Sequence, residues 1–338
     1  MRALVYSISR IIDTVVANAL FLYHTSPPDI YPMPEVLSYF KALADETRLR
    51  LFNVLCRHEL NVNELVLILE MGQSRISRHL KILSAAGLLV WRREGLWVFY
   101  STPQEGPGKA FIDATLPFLD NEPSLKSDLD MAATMIEERV HKTRQFFNTI
   151  AEDWDKLSRE VLGGFDLPQA VASRMRPCRV ATDLGCGTGN VLHAMLDKAD
   201  TVIGVDGSAR MLELAKRRFA GEGDHISLRI GDLSHLPLRD GEADFASLNM
   251  VLHHVPSPSE VLSEIRRVLA PSGLLVITDF NRHNDESMRS EYGDHWLGFE
   301  EDVLRAHLTR AGFLVSQHQL VPVQRNLSLH IFTAENPA

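Results

Sequence analysis

The stretch VATDLGCGTGNVLHAML, residues 180–196, restricts the possible folds of this chain more than any other. A short apolar strand ends at Asp183, glycines follow at 185, 187 and 189, and a helical pattern begins at once. Glycines at that density let the backbone pass close beneath a ligand with no Cβ in the way. The spacing is G-x-G-x-G, whereas the dinucleotide fingerprint is G-x-G-x-x-G, which weakens a nicotinamide reading.

The residues that follow repeat the strand-and-helix alternation. TVIGVD ends in Asp206, where a carboxylate at a strand end can accept hydrogen bonds from both hydroxyls of a ribose. HISLRIGDLSHLPL places Asp232 and Leu233 at a third strand end, and EADFASLNMVLHHV ends a fourth near Asn249. LLVITDF supplies a fifth strand after the helix SEVLSEIRRVL. This alternation predicts an α/β doubly wound, Rossmann-like parallel sheet with its ligand over the carboxyl ends of the strands.

Residues 35–101 follow a different pattern. Asp45 is placed to cap one helix, Asn63 a second, ELVLILEM, and Ser74 a third that runs to Ala86, with Gly87 at the C′ position. In the third helix Ile76, Leu80 and Leu83 share one face. Ser74, Ser77, Arg78 and Lys81 lie opposite, flanked by Arg75 and His79. Short hydroxyls and long cations on one helix face suit base edges and phosphates, although a solvated basic face has the same composition. LLVWRREGLWVFYS then reads as two strands around a Glu-Gly turn, with Arg92 and Arg93 near its tip. Residues 36–101 hold nine Lys/Arg against six Asp/Glu, net +3, within a chain of net −9. The other residues therefore carry −12, and only this part suits a phosphate backbone.

ALADETRLRLF, QSRISRHLKIL, AAGLL and REGLWVFY, in that order, resemble the ArsR-type winged helix-turn-helix regulators (α+β). The resemblance implies a homodimer on double-stranded DNA with a near-palindromic operator. Metal-sensing members carry Cys-Val-Cys where this chain has Asn61, Val62 and Asn63, and amides do not replace thiolates for soft metals. DLGCGTG, GVDGSARML, GDLSHLPL, LNMVLHHV and VLAPSGLLVITDF resemble the class I S-adenosylmethionine-dependent methyltransferases over residues 146–338. That resemblance implies S-adenosylmethionine, or S-adenosylhomocysteine as product or effector. Its site would comprise Asp183, Gly185, Gly187, Gly189, Asp206, Gly207, Met211, Asp232, Leu233 and Asn249. FFNTIAEDWD looks like the lid helix of that group, with Phe147 and Trp154 as cover or as ordinary core aromatics.

Between the two, residues 102–145 read as a linker of short helical pieces and turns, in which KAFIDATLPFL would by the first resemblance supply a dimer-forming helix, followed by a longer helix or helix pair that would transmit position between the domains. Residues 1–34 form an extension. Its apolar part is interrupted by Arg10 and Asp13, so it reads as an accessory helix, a weak anchor, or a start placed ahead of the true one at Met33. Three scattered cysteines, Cys56, Cys178 and Cys186, indicate neither a disulfide framework nor a cysteine-based metal cluster. The expectation is a cytoplasmic protein without metal or membrane partner.

Methyl transfer needs mainly an aligned nucleophile and exclusion of water. If the acceptor must lose a proton, His254, Asp279 and His283 are the candidates, with His253 and His295 nearby. Each has a purely structural alternative. Arsenite methylation would need several thiols, and Cys186 is locked in the glycine loop. Two functions remain open: a transcriptional regulator whose second domain binds S-adenosylmethionine as signal and methyl donor, or a small-molecule methyltransferase with an autoregulatory or vestigial DNA-binding domain.

Overall fold

The computed structural model describes residues 33–94, 97–120 and 122–338. The extension before Met33, and the tip of the Glu-Gly turn, lie outside the described residues. The chain divides into two compact units after Ile136.

The first unit is a winged helix. Helix α1 (Met33–Leu43) precedes α2 (Glu46–Leu55), which Asp45 caps by accepting the Arg48 N–H at 3.0 Å. Strand β1 (Leu60–Asn61) leads into α3 (Val62–Leu69), and α4 (Gln73–Ala85) completes the helix-turn-helix. Two expected caps move. Asn61, not Asn63, caps α3, because its side-chain oxygen reaches the N–H groups of Asn63 and Glu64 while Glu64 returns a bond to the Asn61 N–H. Helix α4 starts after Gly72 with no side-chain cap, so Ser74 stands exposed in the first turn. Gly87 takes the left-handed conformation after α4 at φ +76°, and the Leu88 N–H closes on Leu83 O at 3.1 Å.

The wing is β2 (Val90–Glu94) antiparallel to β3 (Trp97–Ser101), and β1 joins β3 at its other edge. Leu51, Phe52, Leu55, Leu65, Ile76 and Leu80 are buried at the centre. Burial of each such side chain contributes about 1.5–3 kcal/mol.

The expected broken linker is more regular than its prolines and glycines suggest. A single helix α5 (Gly106–Leu119) contains both Pro107 and Pro117. Pro107 falls in the first turn, where a missing N–H costs no helical bond. Next comes α6 (Lys126–Ile150), one helix of 25 residues. Its early part belongs to the first unit, where buried Asp128 receives two bonds of 2.7 Å from the Arg50 guanidinium.

The second unit contains α7 (Trp154–Leu162), α8 (Leu167–Ala172), β4 (Cys178–Leu184), α9 (Leu192–Leu196), β5 (Ala199–Asp206), α10 (Ala209–Arg218) and β6 (Ile226–Ile230). There follow β7 (Ala243–Asn249), α11 (Pro258–Val268), β8 (Leu269–Phe280), α12 (Ser287–Glu291), α13 (Glu301–Arg310), β9 (Leu314–Pro322) and β10 (Ser328–Glu335). The sheet order is β6-β5-β4-β7-β8-β10-β9, and β10 alone runs against the others. The five expected strands are therefore joined by a C-terminal hairpin that the sequence reading did not contain. The order reverses between β4 and β7, which opens a crevice beyond their carboxyl ends. This is the class I methyltransferase fold. Among the described residues no helix is long and apolar enough to cross a membrane.

Candidate functional site

The glycine loop after β4 has φ values of +71°, +53° and +86° at Gly185, Gly187 and Gly189. A Cβ on Gly185 would strike Val251, and one on Gly189 would strike the Phe219 ring, each at 2.5 Å. At Gly187 the nearest atoms are Trp154 Nε1 at 3.5 Å and Met211 Sδ at 4.0 Å. The first and third glycines thus serve packing, and the second borders the crevice.

Gly187 N–H donates to Asp206 Oδ2 and Ser208 N–H to Oδ1, both at 2.8 Å. Burial pushes the Asp206 pKa up against these backbone donors. Ser208 Oγ accepts from Met211 N–H at 3.1 Å, capping α10 and burying Met211 beside the loop. A Cβ on Gly207 would sit 3.6 Å from both Arg144 Nε and Gly231 O. After β6, Asp232 Oδ1 accepts from the N–H and the hydroxyl of Ser234, and Arg144 lies 3.8 Å from its other oxygen. Leu233 is half-buried in the same turn.

Asp183 is buried, and its Oδ1 accepts from Ser247 Oγ at 2.5 Å and Asn249 Nδ2 at 2.9 Å. Burial raises its pKa to about 7, against those two bonds. Asn249 Oδ1 accepts from Thr278 Oγ1 at 3.1 Å, so both ends of that amide are engaged inside the sheet. Asn249 therefore supports Asp183 within the sheet.

The second-unit part of α6, with α7, covers the same strand ends. Asn148 accepts from Ser208 Oγ at 2.7 Å, and Asp155 accepts from Thr188 Oγ1 at 2.5 Å and Asn190 Nδ2 at 3.1 Å. Burial alone would raise the Asp155 pKa, but the Thr188 bond and the Arg218 charge hold it below the usual carboxylate range. Phe147 meets Trp154 edge-on at 5.3 Å and His254 edge-on at 4.8 Å between ring centroids. The two aromatics expected as cover thus lie between the glycine loop and the histidines after β7.

Those histidines belong to a buried polar cluster. His253 Nδ1 is 2.8 Å from Asp279 Oδ1, and its Nε2 is 3.6 Å from Asp294 Oδ1. His254 Nδ1 lies 3.2 Å from Gly293 O and 3.9 Å from Asp294 Oδ1. Burial works against a charge on His253, but the two carboxylates prevail and raise its pKa. Burial and the neighbouring His253 drive His254 well below the usual value. His283 is lowered to about 4, mainly by burial, and its Nε2 is buried without a hydrogen-bond partner. His254, Asp279 and His283 therefore share one region. Sequence reasoning missed Asp294, whose pKa burial raises to about 7. Its only sequence signal was membership of the polar run after β8.

In the first unit, Ser74, Arg75, Ser77, Arg78 and Lys81 are exposed along α4. Arg75 also donates to Thr47 Oγ1 at 3.1 Å. His79 is only half-exposed, with Nδ1 3.6 Å from the capping Asp45, and burial lowers its pKa. Arg92 donates to Glu59 at 2.8 Å and lies over the Phe99 ring at 5.1 Å, whereas Arg93 is exposed. Ser77, Arg78 and Lys81 form the most open part of the face, and His79 and Arg92 turn back toward their own unit.

Comparison with known proteins agrees with both folds. Residues 45–89 match the bacterial regulatory protein, arsR family, and residues 182–277 match the methyltransferase domain. A demethylmenaquinone methyltransferase of Symbiobacterium thermophilum is 30% identical over 174 residues, 48% of this chain and 68% of that protein. A 2-phytyl-1,4-naphtoquinone methyltransferase of Trichormus variabilis is 31% identical over 160 residues, 45% of this chain and 70% of that one. An uncharacterized 37.1 kDa protein in transposon TN4556 of Streptomyces fradiae is 42% identical over 105 residues, 30% of each chain. The chain thus spans under a third of the transposon protein and about two thirds of these methyltransferases. The crystal structure of the [4+2]-cyclase SpnF superposes with a TM-score of 0.50 at 19% identity, covering 57% of this chain and 94% of that one, and supports the fold alone. The chain belongs to the methyltransferase family that includes these quinone methyltransferases, and it carries an arsR-family DNA-binding segment ahead of the methyltransferase fold.

Proposed function

We propose that this protein is an ArsR-type transcriptional regulator whose second unit binds S-adenosylmethionine and S-adenosylhomocysteine, as signal and as methyl donor and product. The observation that carries the reading is the pairing of Gly187 N–H with Asp206 across two adjacent strand ends, in a chain that also exposes Ser77, Arg78 and Lys81 on a reading helix. An adenosyl ligand suits these strand ends, because a carboxylate, Asp206, stands where a ribose would lie and Trp154 and Met211 flank the glycine loop at Gly187. Asp183 and the loop at Gly185, Gly187 and Gly189 would face the amino-acid end. Asp206 and Gly207 would meet the ribose, Asp232 and Leu233 the adenine, with Met211 alongside. When bound, the cofactor supplies an electrophilic methyl group.

The acceptor is a small aromatic, quinone-like molecule, the class named for the related methyltransferases. Phe147 and Trp154 supply an apolar cover that excludes water. Asp279 is engaged by His253, whereas His283 Nε2 is buried without a hydrogen-bond partner and is a nitrogen that could take an acceptor proton. The first unit acts as a homodimer on a near-palindromic operator in the cytoplasm.

Two assays on the full chain test the reading. Labelled S-adenosylmethionine with cell extract should yield a labelled small molecule, and operator affinity should shift with micromolar S-adenosylhomocysteine. A flat operator response combined with active transfer would favour the second reading, a methyltransferase with an autoregulatory DNA-binding unit. That reading draws on the two thirds of the quinone methyltransferases' length that the chain spans. Absence of cofactor binding would overturn both.

A further inference from the structure

The polar cluster after β7 holds more ligating groups than methyl transfer requires. His253, His254 and Asp294 each offer an atom within 4.8 Å of the others, and all three residues are buried. The Asp294 carboxylate is 3.6 Å from His253 Nε2 and 3.9 Å from His254 Nδ1. Donor atoms around a first-row ion bound at about 2.0–2.2 Å stand roughly 3–3.5 Å apart, so movements of less than about 1 Å would close the set.

Two further observations point to a cation site. Asp294 is 5% exposed, yet neither of its carboxylate oxygens has a hydrogen-bond partner. A carboxylate removed from water without donors is costly unless a cation compensates it. Moreover, Asp279 holds His253 from the opposite nitrogen at 2.8 Å and is itself fixed by the Phe280 N–H at 2.7 Å. A carboxylate behind an imidazole is the usual device that orients a metal-bound histidine and raises its basicity. It directs the Nε2 lone pair of His253 toward Asp294.

We infer that His253, His254 and Asp294 bind a divalent transition-metal ion, with Asp279 as the positioning residue behind His253. Two imidazoles and one carboxylate suit zinc, iron(II) or cobalt(II) and disfavour magnesium and calcium. Three protein ligands leave coordination positions open to solvent or to an oxygen of a bound small molecule. The site departs from the metal-free expectation of the sequence and does not depend on the identity of the methyl acceptor.

Cobalt(II) titrated into chelator-treated full-length protein tests the site, read by visible d–d absorption and calorimetry. The expected result is a single tight equivalent with the absorption of a nitrogen and oxygen ligand set. Asp294→Asn, which preserves shape, should abolish it, and Asp279→Asn should weaken it by about 10–100-fold. The pair His318 and His330, 2.8 Å apart, is the competing explanation for any uptake, so His318→Ala serves as control and should leave the signal intact. Should Asp294→Asn fail to fold, pulsed electron paramagnetic resonance of copper(II)-loaded wild type should report two bound imidazoles from neighbouring residues. No uptake at tens of micromolar cobalt, or uptake lost in His318→Ala and kept in Asp294→Asn, would overturn the inference.

Discussion

Asn61 and Glu64 bind each other reciprocally at the start of α3. The Asn61 side-chain oxygen accepts from the Glu64 N–H at 3.2 Å, and Glu64 Oε2 accepts from the Asn61 N–H at 2.8 Å. Where metal-sensing relatives are expected to place a thiolate, this chain therefore has a helix cap. Asn61→Ala should destabilise the first unit by about 1 kcal/mol, and Asn63→Ala by far less. Urea unfolding followed by circular dichroism would separate the two, and equal effects would contradict the assignment of the cap.

The reading face makes a selective prediction. Arg78 is exposed with no role in α4 packing, so Arg78→Ala should weaken DNA binding about tenfold and lower the salt slope of binding by about 1 without changing stability. Arg75→Ala should also cost stability, because Arg75 ties α4 to Thr47. Fluorescence anisotropy across a salt series, with melting curves for each variant, checks both statements.

Asp206 links two turns through Gly187 and Ser208. Asp206→Ala should reduce S-adenosylhomocysteine affinity by at least about tenfold, the loss of roughly 1.4 kcal/mol of charge-assisted bonding. Isothermal titration would register it. Undiminished affinity would remove Asp206 from the site.

Asp183 gives a pH prediction. Its pKa is raised to about 7 in the fold, above the ordinary value of 3.8, so the folded state binds the extra proton. The stabilisation associated with that proton is complete below about pH 4 and is lost as pH rises through 7. Asp183→Asn removes the dependence, so its stability relative to wild type should improve from pH 5 to pH 8. Chemical denaturation at both values measures the difference, and a constant gap would refute the assignment.

Both folds were legible in the sequence because their signals are local. Gly185, Gly187 and Gly189 stand where φ is positive, and such positions mark the sequence directly. The periodicity of Ile76, Leu80 and Leu83 marks a buried helix face in the same way. KAFIDATLPFL was legible as a helix despite Pro117, but Pro107 hid the first turn of α5, since a proline tolerated in a first turn looks the same in sequence as one that ends a helix. Asn63 was the expected cap of α3, and Asn61, two residues earlier and of the same residue type, takes that place through the reciprocal bonds with Glu64. Asp294 was hidden for another reason. Its partners His253 and His254 follow β7, while Asp294 follows α12, and no spacing rule connects residues brought together by the sheet.

Strand β10 also matters for the order of synthesis. It fills the gap between β8 and β9 through antiparallel pairings on both sides, from Ser328 to Glu335. A ribosome would release the winged helix, with its mostly local contacts, long before that gap could close. Each nascent chain would thus pass through an interval in which its winged helix is complete while the sheet behind the glycine loop still lacks its last strand.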